Sequence, residues 1–350
     1  MANTIQMKRG PAGNWTSTDP TLAAGEFGFE TDTGKFKCGD GSTAWSALGY
    51  FEPGDPPPAP VVWTFQGSAT GYSSKWNRES FSLVSDGNAV QIANYGTSST
   101  AAGTAYGGGV MSSVYAFLTG LSPNSRIIEK FPFAADSETA TNVGTLSQSY
   151  AYMANNNTAT HGYTAGHTPV TTNIDKFSTV SDGDGAVAAY LTVARYALSS
   201  QNSDSHGYHA GGVDSNVIDK FPFASDGNSV DVGNLSAPRY QSHGMSSTEN
   251  GYAAGGQIFP QYAPNSGRID KFSFASDGNA TYIGNLTTYK EYDGASVSST
   301  THGYSAGGFY TQPTFASSNI IEKFSFTSDG NSVDVGDVVN SGYDTAGFQI

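Results

Sequence analysis

Six times along this chain a phenylalanine completes the same short phrase, and that recurrence limits the fold more than any other feature. The phrase is Gly-Tyr-x-Ala-Gly-Gly, then Ile-Asp/Glu-Lys-Phe-x-Phe, then Ser-Asp-Gly-Asn, and it is plainest from Gly207 to Phe223 and from Gly303 to Phe326. The pivotal residue falls at Phe81, Phe131, Phe177, Phe221, Phe272 and Phe324, at spacings of 44 to 52 residues. Such a period belongs to propellers and other repeat arrays, whose units cannot bury their faces alone. Six units fill residues 61–350.

Each copy predicts four short strands. Strand a ends near Gly244-Met245-Ser246-Ser247, strand b is Gly-Tyr-x-Ala-Gly-Gly, strand c is Ile-Asp-Lys-Phe-x-Phe and strand d is Val-Asp-Val-Gly-Asn-Leu. Asp-Gly between alternating apolar runs signals a turn, because these residues tolerate positive φ. It stands between c and d at Asp86-Gly87, Asp182-Gly183, Asp226-Gly227, Asp277-Gly278 and Asp329-Gly330; copy two has Asp136-Ser137 and is expected to turn differently. No segment keeps a helical period. Four-stranded units packed radially into a ring leave few open edges. The last residues, Tyr343 to Phe348, resemble strand a at Tyr240 to Met245 and have no b, c or d after them. They are expected to pair with the first blade, alongside or in place of Val61 to Phe65. The paired glycines, the aromatic and the four-strand unit resemble kelch-type repeats, which implies an all-β, six-bladed kelch-like β-propeller. The double glycine is present in copies four, five and six, whereas copy three has Gly166-His167 and copy two Thr119-Gly120.

Composition agrees. Glycine (43 residues), tyrosine (20) and phenylalanine (20) supply turns and pleated surfaces. No stretch approaches the roughly 18 apolar residues of a membrane span, and the first residues lack the apolar core of a signal peptide. No membrane insertion is expected. Cys38 is the sole cysteine, so packing must stabilise the chain. A formal charge of −14 without basic runs argues against nucleic acid as a partner.

Residues 1–50 form a separate module, followed by the proline-dense spacer 51–60. Phe27 and Phe29 alternate with Glu26, Gly28 and Glu30, Thr33-Gly34 turns the chain, and Phe36 and Cys38 return on the same face as the two phenylalanines. The run from Gly25-Glu26 through Glu30-Thr31-Asp32-Thr33-Gly34-Lys35 to Gly39-Asp40-Gly41 and Trp45 resembles the amino-terminal domain of bacteriophage tail-fibre and tropism-determinant proteins. Cys38 stands where that family usually has an apolar residue. The resemblance implies a small β-hairpin module that trimerises at the virion end of an appendage and contacts other virion proteins. Its small core favours a homotrimer as the source of further burial.

Little points to chemistry. His161, His206 and His302 are replaced by Thr70 and Asn250 in other copies and read as turn residues leading into strand b. Asp182-Gly183-Asp184 is too short a series of oxygen ligands for calcium, and no nucleophile elbow or metalloprotease helix is present. The expectation is a protein without enzyme activity, metal or cofactor. The Asp/Glu-Lys pair of strand c places opposite charges on opposite faces, so the Lys of one blade is expected to meet the acid of the next. Glu79-Ser80 leaves a gap in that series.

From the strand b aromatic (Tyr72, Tyr115, Tyr163, Tyr208, Tyr252, Tyr304) to the strand c Phe the separations are 9, 16, 14, 13, 20 and 20 residues. From that Phe to the strand d Gly they stay at 12 or 13 in copies two, four, five and six. Variable loops on a rigid scaffold are the usual seat of binding. The two longest b–c loops bring Phe259, Gln261, Tyr262 and Phe309, Tyr310, Gln312, aromatics for stacking on sugar rings beside amides for hydrogen bonding. These are the candidate ligand-binding residues, and a host-surface glycan or protein is the expected partner. A decorative virion protein without a receptor role is the alternative, followed by a polysaccharide-degrading spike, which needs a carboxylate pair in a groove.

Overall fold

Each copy of the repeat folds into one four-stranded antiparallel sheet, strands a to d running outward in order, and six such sheets make the ring. The structure is a computed structural model describing residues 7–50, 64–74, 77–94, 108–120, 125–133, 140–167, 170–258, 267–292, 294–310, 316–342 and 345–350. Blade 4 shows the pattern: a is Ser199–Asn202, b His206–Ala210, c Val217–Pro222 and d Val230–Asn234. The a strands of blades 2, 3, 5 and 6 are Gly108–Met111, Ala154–Asn157, His243–Ser246 and Ala295–Ser298. Blade 1 takes its a strand from the other end of the chain: Ala346–Gln349 pairs with strand b, Thr70–Ser74, with Phe348 opposite Tyr72. The terminal strand therefore fills the a position of blade 1. Val61 to Trp63 lie outside the described residues, and Phe65 serves the channel.

The phrase itself has a packing reason. The ring of Phe221 lies where a side chain on Gly207 of strand b would sit, a Cβ there falling 2.3 Å from it. Gly-Tyr thus makes room for the Phe of the same blade, while the Tyr reaches the Phe-x-Phe of the next. Tyr163 packs on Phe223 at 5.1 Å, Tyr208 on Phe274 at 4.6 Å and Tyr252 on Phe326 at 4.7 Å between ring centroids. Each such pair adds about 0.5–1.5 kcal/mol to the buried area. In blade 2 the residue opposite Lys130 is Phe117, not Tyr115, so Phe117 is the true counterpart of the strand b tyrosine. It packs on Phe177 of blade 3.

The strand c lysines do bridge blades, but to a different acid from the one expected. Lys130, Lys176, Lys220, Lys271 and Lys323 reach Asp182, Asp226, Asp277, Asp329 and Asp86, the aspartates of the next blade's c–d turn. Lys323 to Asp86 crosses the seam between blades 6 and 1. At the gap in the series Arg78 spans to blade 2, its guanidinium 4.5 Å from the Phe131 ring centre; Asp136 lies outside the described residues. These pairs are half in water: the side chains of Lys220 and Asp277 are 20% and 57% exposed. Lys220→Met is therefore expected to cost no more than about 1 kcal/mol. A drop in melting temperature equivalent to several kcal/mol in thermal unfolding would overturn that assignment.

The other compact unit is Met1–Val62. Its hairpin is Phe27–Glu30 with Phe36–Cys38, in the register Phe27 to Cys38 and Phe29 to Phe36. Strand Lys8–Gly10 adds in parallel, and a short helix, Ala12–Thr18, lies outside what the hairpin pattern foresees. The buried face is the one carrying Gly28, Glu30 and Lys37, packed under the stacked Trp15 and Trp45. The Phe27, Phe29, Phe36 and Cys38 face is only partly covered, Phe27 being 38% exposed. Asp40 accepts from the amides of Ser42 and Thr43 and from the Thr43 hydroxyl. The hydroxyl first, then the amides, hold its carboxyl well below the usual range. The turn so fixed delivers Trp45 to the core.

Candidate functional site

Because successive strands are antiparallel, the a–b and c–d turns share one rim of the ring, and the b–c and d–a connections share the other. The inner strands surround a central channel, and its two ends differ. At the a–b rim the chain comes into the propeller through Thr64 to Gly67, which tie to the ends of the a strands of blades 5, 6 and 1. Gln66 Nε2 donates to the carbonyls of Ser246 and Ser299, and the Gly67 amide to that of Ser298. Phe65, 4% exposed, forms part of this floor.

Just above the floor the fourth residues of the a strands close a hydrogen-bonded girdle. Asn157 Nδ2 donates to the Met111 carbonyl (3.1 Å), and Asn202 Nδ2 to the Asn157 carbonyl (3.0 Å). The Asn202 amide donates to Ser246 Oγ (2.9 Å), and the Ser246 amide to Ser298 Oγ (3.0 Å). The Ser298 amide then reaches Gln349 Oε1, and the Gln349 amide the Met111 sulfur, completing the circuit. Between girdle and mouth remains a polar cavity of about 140 Å³.

The d–a connections of this rim carry tyrosines, Tyr152, Tyr196, Tyr240 and Tyr292, all half-buried, of which Tyr152 borders the cavity. Tyr152 and Tyr196 lie 6.0 Å apart, Tyr240 donates to Gln257, and Tyr292 meets Phe309 edge-on at 5.6 Å. The backbone here is unusual for non-glycine residues, with φ of 61° at Tyr152, 59° at Ala197 and 53° at Gln241. Left-handed residues at this one connection in three consecutive blades mark it as a place where geometry is held against local preference.

Of the sequence-predicted binding residues, Phe309 and Tyr310 form a short strand paired with Ala316–Ser317, both half-buried. Phe309 thereby joins the tyrosine crown. Phe259, Gln261, Tyr262 and Gln312 lie outside the described residues. The d–a tyrosines were missed because they fall outside the repeated phrase. Their signal was a Tyr shortly before every a strand from copy three on, Tyr343 included.

Behind the mouth, copies four to six carry buried cations. Arg195 meets Asp219 at 3.0 Å and Lys290 meets Glu322 at 2.9 Å, and Arg239 pairs with Asp270. Arg195 also donates to the carbonyls of His209 and Gly211. A Cβ on Gly212 would fall 3.2 Å from the Arg195 stem and one on Gly308 3.2 Å from that of Lys290, whereas on Gly256 it would meet Ser242 and the Tyr240 carbonyl. Burial alone would raise the Glu322 carboxyl, yet Lys290 and the Ser332 and Thr287 hydroxyls hold it below its ordinary value. The imidazoles of His209 and His243 are buried, and desolvation first, with Arg195 or Lys290 adding to it, pushes each down to about 3. They are neutral packing groups. His161, His206 and His302 begin strand b on the opposite rim, each ring 2.8 Å from the hydroxyl before it. Among the described residues no group of three or more His, Cys, Asp or Glu could hold a metal ion, and no helix is long and apolar enough to cross a membrane.

Residues 5–43 match the family described as the major tropism determinant N-terminal domain. A stretch of 51 residues is 47% identical to a hyaluronoglucosaminidase of Streptococcus pyogenes phage H10403, covering 15% of each protein. A stretch of 46 residues is 50% identical to the same-named protein of Streptococcus pyogenes phage H4489A, covering 13% of this chain and 12% of that one. The chain thus spans a small part of these relatives' lengths. Among solved structures, that of YjhT is similar with a TM-score of 0.56 at 8% identity, covering 69% of this chain and 86% of the other, a likeness of fold.

Proposed function

We propose that this is a phage virion appendage protein, anchored to the particle through residues 1–50, whose propeller binds a glycan on the host surface with its b–c and d–a rim. A phage protein with a tropism-determinant module is supported by the family match and the phage relatives. One observation carries the finer reading. The chain comes into the propeller at the closed rim, and the opposite rim joins an open polar cavity, a crown of tyrosines and the two longest loops. Aromatic faces beside hydroxyls and amides suit a sugar, whose rings are apolar on their faces and polar at their edges. We read the propeller as a binder and not a catalyst, because the described residues around the cavity bring hydroxyls and amides and no carboxylate.

The test is adsorption of full-length protein to host cells. Tyr196→Ala with Tyr240→Ala, or Tyr262→Ala with Tyr310→Ala, is expected to weaken it about tenfold or more with the fold intact. Undiminished adsorption in both pairs would leave the decorative alternative standing. The half-covered Phe27, Phe29 and Phe36 face supports a homotrimer built through the amino-terminal module. Light scattering is expected to give three copies for the full chain and one for residues 61–350; a monomeric full chain would remove that proposal.

A further inference from the structure

Blade 5 departs from the repeat at three neighbouring surface positions that its scaffold duties do not explain. At the start of strand c, where blades 1, 3, 4 and 6 have Asn77, Asn173, Val217 and Ile320, blade 5 has Arg268. At the strand d position opposite the buried acid those blades have Gln91, Val187, Asp231 and Asp334, and blade 5 has Tyr282. The residue before the buried cation is Ala194 at Arg195 and Pro238 at Arg239, but Tyr289 at Lys290. A cation and two tyrosines have replaced small, aliphatic and acidic residues on one blade. Residues that vary on a rigid scaffold are the usual carriers of binding.

The three side chains share one patch. The Arg268 guanidinium lies over the Tyr282 ring, 4.5 Å from its centre, and Asn285 Nδ2 donates to Tyr282 Oη at 2.7 Å. Tyr289 lies against Gly267, where a Cβ would fall 3.4 Å from its ring. Both tyrosines are 48% exposed. Arg268 also differs from the other cations in having nothing to neutralise it. Among the described residues eight lysines and arginines of the propeller sit in ion pairs, three of them buried and five at the blade seams. The half-buried Arg268 side chain makes no ion pair or hydrogen bond among them, and residues 259–266, just before it in sequence, contain no acid. Its Nε is buried, so the two terminal nitrogens are the ones that meet solvent. They form a fork that fits the paired oxygens of a carboxylate or phosphate, and tyrosine faces suit the apolar face of a sugar ring. The net charge of −14 opposes anions at long range, but at physiological salt charges beyond about 8 Å are largely screened, so direct contact with Arg268 decides.

We propose that Arg268, Tyr282 and Tyr289 form a subsite for an anionic sugar residue, its carboxylate or phosphate paired with Arg268 and its ring against a tyrosine. The start of strand c and the d–a connection both belong to the rim already assigned to the host glycan. The subsite deepens that receptor reading and rests on it for its biological role, whereas the binding itself can be measured without any host.

The experiment is saturation-transfer NMR on the full-length protein with glucuronic acid, N-acetylneuraminic acid and glucose 6-phosphate, and with glucose and glucuronamide as neutral probes. At least one anionic sugar is expected to give saturable transfer that weakens with added salt, and the neutral probes none. Which of them responds separates a carboxylate from a phosphate ligand. Arg268→Gln is expected to weaken binding tenfold or more and Tyr289→Ala threefold or more. Lys220→Met, which removes the same charge from the opposite rim, is expected to leave it unchanged. Melting curves establish that each variant is folded. Arg268→Lys, which keeps the charge but loses the fork, is expected to weaken binding at least threefold and decides if Arg268→Gln does not fold. Transfer from none of the anionic sugars, equal transfer from glucose, or an affinity lowered no more by the Arg268 variants than by Lys220→Met would overturn the subsite. Anion binding lost in Arg268→Gln with undiminished adsorption to cells would leave the subsite in place and count against the receptor reading. Adsorption lost in Tyr196→Ala with Tyr240→Ala, with no anionic sugar bound by the unaltered protein, does the reverse.

Discussion

Phe348→Ala is expected to destabilise the propeller by about 3–5 kcal/mol, as large-to-small changes at fully buried aromatics do. Phe348 is 1% exposed and meets the Phe131 ring of blade 2 edge-on at 5.7 Å. It belongs to a cluster with Tyr72, Met111, Leu118 and Phe133, so one terminal side chain joins blades 1 and 2. The consequence exceeds a cavity. Ala346–Gln349 is the strand by which the end of the chain completes blade 1, and Gln349 belongs to the girdle. Removing residues 345–350 bares the inner edge of Thr70–Ser74 and opens the ring, and an open strand edge invites pairing with other chains. Thermal unfolding of Phe348→Ala and of the truncated chain checks both expectations. A truncated propeller that melts as the full chain does, without aggregating, would mean that the ring is held by blade-to-blade packing alone.

The fold was legible because one phrase dictated one packing solution in five blades, which blade 2 repeats with Ala116-Phe117 in place of Gly-Tyr. Gly-Tyr makes room for Phe, and Tyr meets the Phe-x-Phe of the next blade, so the spacing of the phenylalanines gives the blades directly. Closure was legible for the same reason, since Tyr343 to Phe348 carries the strand a pattern without its successors. What stayed hidden lies between blades. Adjacent Asp and Lys in strand c suggested a reciprocal bridge, whereas the twist of each blade carries Lys220 to the exposed Asp277 and buries Asp219 against Arg195. The co-occurrence of Arg195, Arg239 and Lys290 with the double glycine was present in the sequence, but only the packed backbone shows the second glycine close to the cation stem at Gly212 and Gly308. The helix Ala12–Thr18 has no capping side chain and a single buried residue, Trp15, so no apolar stripe announces it. The tyrosine crown escaped because its members sit in connections that the repeat does not fix.

The buried cations set the second large expectation. Arg239 and Asp270 are both fully buried, and the Asp270 carboxylate also accepts from the amide and hydroxyl of Ser236 in the loop arriving from blade 4. Arg239 in turn donates to the Arg268 carbonyl, at the beginning of strand c, and to that of Gly255. Arg239→Met keeps most of the volume and removes the charge, leaving a buried carboxylate with half its partners, which costs about 3–5 kcal/mol. The contrast with Lys220→Met is the informative measurement, because both substitutions break one blade-stabilising pair and differ in the water around it. Arg239→Lys is expected to fall between them. Blade 6 shows that a lysine can serve here, since Lys290 donates to Ser305 and to the Ile320 carbonyl, but one ammonium cannot reproduce the planar fork of Arg239. A loss for Arg239→Met no greater than that for Lys220→Met would show that Asp270 is sufficiently held by Ser236.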